Sequence, residues 1–184
     1  WEYAHTNWSE HVETRATTFQ EQEAFLMSDS PNSNSLRSDS ILLSIDGRIA
    51  RMAKDEYLVG DTDLLTSSVT YGVGFTRFNE DWANQTVGYK DTPEYERIET
   101  RPDGTVQPPE ARKHTFEILA LSEVVPTPVG PMDCSKIQRT KDWQAEQAEE
   151  GEDDEAETKW FWFARGVGKV MERNVESGNT EILV

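Results

Sequence analysis

The stretch KWFWFARGVGKV, residues 159–170, decides the fold because four consecutive aromatic side chains run into two glycines and a lysine. Successive side chains of a β-strand point to opposite faces. Trp160 and Trp162 would therefore share one face, and Phe161 and Phe163 would share the other. Such a strand is typical of a layer that is buried on both faces, or buried on one and covered by a loop on the other.

The glycines of this stretch do not fit a nucleotide-binding loop. A Walker-type loop reads Gly-x-x-x-x-Gly-Lys-Ser/Thr, but Phe163 stands at the first glycine position and Val170 replaces the hydroxyl residue. A dinucleotide-binding Gly-x-Gly-x-x-Gly pattern fails because Met171 takes the third glycine position. We therefore expect Gly166 and Gly168 to let the backbone bend as the strand ends.

Turn signals divide the rest of the chain into short strand-like segments. Asp46-Gly47 lies between two apolar runs, which is a strong hairpin signal because Asp-Gly tolerates positive φ. Arg101-Pro-Asp-Gly104 and Ser177-Gly178-Asn179 separate further segments of this kind. The pattern predicts a mainly β protein of roughly ten strands in a meandering antiparallel sheet. At most one or two short helices are expected, with 143–150 as one candidate and 10–27 ambiguous.

The chain is short enough for one domain, and we predict a single β domain over 1–184. Two segments are predicted to be loops within it. The segment 28–40 is rich in serine, asparagine and aspartate, and the segment 144–158 is dominated by acidic residues.

The charge of the chain excludes some partners. The sequence has 35 acidic and 18 basic side chains, a net charge of −17. Nucleic-acid binders neutralise phosphates with lysine and arginine, so we predict no nucleic-acid partner. About half of the excess lies in the run 146–157, with eight acidic residues in twelve. A solvated loop is the default interpretation of this run, with cation binding as an alternative.

Residues with catalytic or metal-binding chemistry form no complete set. The chain has no Gly-x-Ser-x-Gly elbow, and Cys134 lies in an alternating segment where packing is its expected role. His5 and His11 would share a strand face, but neither a cysteine nor a third histidine completes a zinc site. We therefore predict no catalytic residue, no metal and no cofactor.

Three motifs in order resemble a group of exported bacterial proteins, many of them lipoproteins of unknown function. The first is Trp1-Glu2-Tyr3, and the second combines Phe116-Glu117 with VVPTPVGPMDCSKI at 124–137. The third is the Trp-aromatic-aromatic-Ala-x-Gly-Val-Gly strand that leads to Val170. The group usually has an aromatic residue before Asp-Cys, where this chain has Met132.

The resemblance implies a single curved antiparallel sheet, or half-barrel, similar to that of periplasmic lipoprotein carriers. The concave face of such a sheet can hold an apolar ligand or be filled by a helix. The group has no catalytic residues to transfer to this chain.

We therefore predict a non-catalytic, extracytoplasmic binding or interaction module, whose ligand is an apolar small molecule. Aromatic side chains are the candidate ligand-binding residues, namely Trp160, Trp162, Tyr71, Phe75 and Phe78. One alternative is a structural or protein–protein component of a cell-envelope or surface assembly. In that case the acidic run 146–157 or an exposed strand edge would contact the partner protein. A hydrolase that uses carboxylates is a further, less favoured alternative.

The predicted location is the periplasm or the outer-membrane surface of a bacterium. No apolar run approaches the 18 residues of a membrane-spanning helix. The sequence begins at Trp1, so we expect any membrane contact to come from a lipid anchor upstream of it.

Overall fold

A computed structural model describes residues 1–5, 9–32, 34–142 and 158–184. These residues form 13 β-strands, and the only helix among them is a short 3-10 helix, Glu80–Asn84. In chain order the strands are β1 (Glu2–His5), β2 (Ser9–Phe19), β3 (Gln22–Asp29), β4 (Leu36–Ile45), β5 (Arg48–Leu58), β6 (Leu64–Asn79), β7 (Lys90–Asp91), β8 (Glu94–Thr100), β9 (Glu110–Val125), β10 (Met132–Asp142), β11 (Thr158–Ala164), β12 (Gly168–Asn174) and β13 (Thr180–Leu183).

The predicted antiparallel meander is confirmed, but the predicted open curved sheet or half-barrel is wrong. Apart from β7, which pairs with β9, the strands follow one another in chain order, and β13 is the neighbour of β1. The order therefore closes on itself, and twelve strands form an antiparallel β-barrel. Closure removes the unpaired edges that an open sheet would expose. Local turn signals specify consecutive neighbours, but they carry no information about a pairing between the two ends of the chain.

The first of the two predicted loops is shorter than expected. Strand β3 continues to Asp29 and β4 begins at Leu36, so the serine-rich segment is largely strand. Thr158, the last residue of the other predicted loop, begins β11. The remaining residues of that loop, together with the acidic run 146–157 and the candidate helix 143–150, lie outside the described residues.

The predicted hairpin at Asp46-Gly47 is confirmed. Both residues have positive φ, 50° and 74°, and they join β4 to β5. Positive φ at both central residues is the backbone shape that a two-residue hairpin loop requires, and it matches the twist of the flanking strands.

The chain divides into two compact units. Unit 1 comprises Trp1–Tyr3, Asn7–Asp81 and Glu94–Ala111, and unit 2 comprises Ala4–Thr6, Trp82–Pro93 and Arg112–Val184. A small apolar cluster of Ala24, Leu43, Ala50 and Met52 is buried in unit 1. In unit 2, a cluster of Val125, Cys134, Trp162, Ala164 and Val170 is buried.

Gly74 allows two strands of unit 1 to approach closely. It has a φ of +85°, and a Cβ atom at this position would lie 2.7 Å from Met52 Sδ and 2.8 Å from Ala50 Cβ. The register between β5 and β6 also shifts here, because Arg51 pairs with Phe75 while Ala53 pairs with Thr70. The additional residues form a bulge that tilts the nearby side chains relative to a regular ladder.

Candidate functional site

The aromatic strand β11 is buried from both sides, as its alternation predicts. Trp162 on one face is 3 % exposed and Phe161 on the other is 5 % exposed. The rings of Phe161 and Phe163 stack at 6.1 Å, and those of Trp160 and Trp162 meet edge to face at 6.2 Å. The side chains of β11 therefore contribute mainly to packing.

The polar groups of the two indoles already have partners within the chain. Trp160 Nε1 donates to Gln138 Oε1 at 3.1 Å, and Trp162 Nε1 donates to Glu123 Oε1 at 2.9 Å. Lys136, directly opposite Trp162, places its ammonium over both rings. Trp162 has little surface left for a ligand, whereas Trp160 is half-buried.

The Gly-Val-Gly segment forms the turn between β11 and β12. Gly166 and Gly168 both have positive φ, 75° and 98°, and Val167 N donates to Ala164 O at 3.2 Å to close the turn. This geometry confirms that the glycines reverse the backbone at the end of the strand.

Two of the predicted ligand-binding residues in unit 1 meet in one cluster. The ring centroids of Tyr71 and Phe75 are 5.9 Å apart, and Tyr95 from β8 contacts both at 5.8 and 5.3 Å. Tyr95 was not predicted, because nothing local in the sequence shows that β8 pairs with β6. Phe78 lies farther along β6, opposite Ile49, and is half-buried.

Two arginines border this cluster, which we call the aromatic–arginine cluster (Tyr71, Phe75, Tyr95, Arg51 and Arg77). Arg77 lies over the Phe75 ring, with its Cζ 5.7 Å from the centroid, and Arg51 is the cross-strand partner of Phe75. Burial, and after it the positive charge of Arg77, lower the pKa of Arg51 to about 10, against a hydrogen bond with Tyr71. Arg51 keeps some exposed surface, but its Nε atom is buried.

A polar cleft is present in unit 2, with a volume of about 220 Å³. Its walls are formed by four strands and one turn, namely β1, β11, β12, β13 and the turn after β12. The lining residues are His5, Lys159, Glu172, Asn174, Ser177, Asn179, Thr180 and Glu181.

An ion-pair network lies along this cleft. Lys159 Nζ is 2.9 Å from Glu172 Oε1, and Lys169 Nζ is 3.3 Å from Glu172 Oε2 and 2.5 Å from Glu181 Oε1. These four side chains are between 12 and 24 % exposed, so solvent screens their interaction only partly. The two positive and two negative charges balance.

His5 adds a titratable group to the cleft. Burial lowers its pKa below 6.5, and this effect outweighs the opposing charge of Glu181. His5 is therefore mainly neutral at pH 7. The predicted pairing of His5 with His11 on one strand is wrong, because β1 ends at His5 and His11 lies in β2.

Cys134 packs inside unit 2, as predicted. It is 1 % exposed, and its thiol lies 3.6 Å from the carbonyl oxygen of Met132. Burial raises the pKa of the thiol, and the charges of Asp133 and Glu123 raise it further. Both effects oppose formation of the thiolate, which is the nucleophilic form.

The structure therefore places the predicted ligand-binding residues in two units. Trp160 and Trp162 belong to unit 2, and Tyr71, Phe75 and Phe78 belong to unit 1. The polar cleft could not be predicted from sequence patterns, because its charged residues come from three different strands.

Comparison with known protein families, with curated proteins and with solved structures finds no match at a significant level. Among the described residues, no helix is both long and apolar enough to cross a bilayer.

Proposed function

We propose that this protein is a non-catalytic binding module, and that the polar cleft of unit 2 binds a small, uncharged molecule with several hydroxyl groups, such as a sugar. The observation that carries the proposal is the combination of an open cleft with a wall of balanced charges and hydrogen-bonding side chains. Ligand sites are typically concave and contain a few positioned polar groups.

Charge balance favours an uncharged ligand. The ammonium groups of Lys159 and Lys169 pair with Glu172 and Glu181, so these four side chains offer no net charge to an ionic ligand. A charged molecule would lose hydration without gaining a free counter-ion. Carboxylates and ammonium groups can still accept and donate additional hydrogen bonds to hydroxyl groups.

The turn after β12 holds its part of the cleft in a fixed shape. Ser177 N donates to Asn174 Oδ1 at 2.7 Å, and Asn179 N donates to Ser177 Oγ at 3.2 Å. Side chains fixed in this way lose little entropy when a ligand binds. The volume is below the roughly 300 Å³ of common drug-sized sites, so it suits a ligand about the size of one sugar ring.

The arrangement of the acids supports binding rather than hydrolysis. Hydrolysis of a glycosidic bond uses one carboxyl group that carries a proton and a second that does not. In the cleft, Glu172 is paired with two lysines and Glu181 with one of them.

The proposal is tested by saturation-transfer NMR with methyl α-D-glucopyranoside, its galactose and mannose counterparts, and the negatively charged methyl glucuronide. We expect saturable signals from at least one neutral glycoside and weaker signals from the glucuronide. The Glu172→Gln variant leaves the cleft with an excess positive charge, so its preference should move toward the glucuronide. The control is Glu23→Gln, at an exposed position of β3, which should keep the original preference.

Two results would contradict the proposal. One is the absence of saturable binding for all four glycosides. The other is a Glu172→Gln variant whose affinities for neutral and charged glycosides equal those of the unmodified protein.

We also propose, from the resemblance of the C-terminal motifs alone, that the protein is exported and attached to a bacterial envelope membrane. Expression of the whole gene product in a bacterial host with radiolabelled palmitate tests this. Recovery of unlabelled protein only in the cytoplasm would contradict it.

A further inference from the structure

A continuous row of side chains crosses four strands of unit 1. Phe25 of β3 is opposite Leu42 of β4, Leu42 is opposite Arg51 of β5, and Arg51 is opposite Phe75 of β6. Directly opposed residues of neighbouring strands project from the same face of the sheet. The row therefore begins at an exposed phenylalanine, 48 % accessible, and leads to a guanidinium whose Nε atom is buried.

The two arginines at the end of this row lack an acidic partner. Among the described residues, no carboxylate lies within ion-pair distance of Arg51 or Arg77. Asp29 attracts Arg51 more weakly than Tyr71 does. Arg97 on the neighbouring strand shows the usual arrangement, with Glu99 and Glu110 both close to its guanidinium.

This arrangement is unusual in a chain with a net charge of −17. Two like charges are held next to each other and partly out of water, although acidic residues are abundant. Buried or half-buried charges in proteins are normally paired, because leaving one unpaired is costly. An anionic ligand would supply the missing negative charge.

We propose that unit 1 contains a second binding site, at Arg51 and Arg77, for an organic carboxylate with an apolar body. The carboxylate lies between the two guanidinium groups and the hydroxyl of Tyr71. The apolar body follows the row toward Leu42 and Phe25. This site is independent of the polar cleft and would exist even if the cleft bound nothing.

A carboxylate fits these groups better than a neutral head group does. The planar fork of a guanidinium donates two parallel hydrogen bonds to the two oxygens of a carboxylate. The buried Nε atom of Arg51, which has no hydrogen-bond partner among the described residues, is one donor of such a fork. Leu42 and Phe25 would cover a short alkyl chain and shield it from water.

Isothermal titration calorimetry with octanoate tests the proposal, with octanamide as the uncharged probe of the same chain length. We expect one octanoate to bind per protein and octanamide to bind at least about 10-fold more weakly, because charge-assisted hydrogen bonds are lost. Arg77→Met should weaken octanoate binding by a similar factor. Arg15→Met, at an exposed position of β2, should leave the affinity unchanged.

Equal affinities for octanoate and octanamide would overturn the proposal, since the arginines would then have no part in recognition. Absence of saturable octanoate binding, or an Arg77→Met variant with unchanged affinity, would overturn it as well. Arg77 is half-buried and pairs with no acidic group, so this variant is expected to fold. A circular dichroism spectrum identical to that of the unmodified protein verifies this.

Discussion

The ammonium group of Lys136 lies 4.0 Å from the ring centroid of Trp160 and 4.7 Å from that of Trp162. One cation is thus shared by two indoles of β11. This contact places a charged side chain next to the buried cluster of unit 2. It also explains how a lysine fits opposite Trp162, which is almost completely buried.

Replacement of Lys136 by methionine should lower the free energy of unfolding by about 1 kcal/mol, because the side chain keeps its length but loses its attraction to the ring faces. Urea denaturation followed by tryptophan fluorescence measures this. Lys136→Arg keeps a cation over the rings and should lose less than half as much. Equal losses in the two variants would show that ring–cation attraction is not the cause.

Gly74→Ala should be strongly destabilising, by roughly 2 kcal/mol or more, because it adds a steric clash to the cost of positive φ. The new Cβ atom would lie within 3 Å of Met52 Sδ and Ala50 Cβ. Gly104→Ala is the matched control. Gly104 also has positive φ, +83°, but no neighbouring atom lies within 4 Å of the added Cβ.

Thermal or urea denaturation of the two glycine variants separates the two costs. We expect Gly104→Ala to lose only about 1 kcal/mol, which is the conformational cost alone. Equal losses at both positions would mean that β5 and β6 move apart without cost, and that Gly74 is not needed for close approach.

The local features of the fold could be predicted, whereas its long-range pairings could not. The Asp46-Gly47 hairpin follows from two adjacent residues. The reversal between β2 and β3 uses Gln20 and Glu21, which have φ of 50° and 65° although neither is a typical turn residue. Closure of the barrel requires β13 beside β1, and no local pattern specifies this pairing.

In the candidate sites, too, local features could be predicted from the sequence and cross-strand contacts could not. The alternation of β11 predicted which faces its aromatic side chains take. The polar cleft and the aromatic–arginine cluster depend instead on cross-strand register. The register of β5 and β6 shifts on both sides of the pair of Arg51 and Phe75, and a shift of one residue would place Arg51 on the other face.

The protonation of His5 should make folding less stable in mild acid. Its pKa is lower in the folded protein than its ordinary value of 6.5, because burial disfavours the charged form. The unfolded chain therefore binds more protons below pH 6.5, and the free energy of unfolding falls as the pH falls through and below this value. His5→Gln removes this contribution and should lose less stability between pH 7 and pH 5.

Urea denaturation at several pH values measures this difference. An identical acid response in His5→Gln and the unmodified protein would show that His5 is not buried in its neutral form.

Cys134 should react slowly with iodoacetamide in the folded protein. The thiol is buried, and its pKa is raised by this burial and by the charges of Asp133 and Glu123. Alkylation at pH 8 then requires local opening, so we expect a rate at least about 100-fold below that of glutathione. Mass spectrometry follows the reaction, and denaturing urea should restore the ordinary rate. Rapid labelling without denaturant would contradict the buried placement.

Arg51→Met should raise the stability of the protein while removing the proposed carboxylate site. In the folded protein the pKa of Arg51 is about 10, below its ordinary value of 12.5, so folding disfavours the charged form. The unfolded chain binds more protons between these two pH values. The cost of keeping Arg51 charged is therefore fully present below about pH 10 and decreases as the pH rises above it.

Replacing buried charged groups by apolar side chains of similar volume is often neutral or stabilising, by about 1–4 kcal/mol where buried ion pairs were replaced. We expect a gain near the lower end at pH 7, because the hydrogen bond between Arg51 and Tyr71 is also lost. Urea denaturation without ligand measures the gain, and Arg15→Met should change stability by less than about 0.5 kcal/mol. If Arg51→Met instead lowers the free energy of unfolding, then other groups of the chain already stabilise the charge of Arg51. An anionic ligand would not be needed to do so. A more stable variant that no longer binds octanoate would show that the arginine is kept for recognition at the expense of the fold.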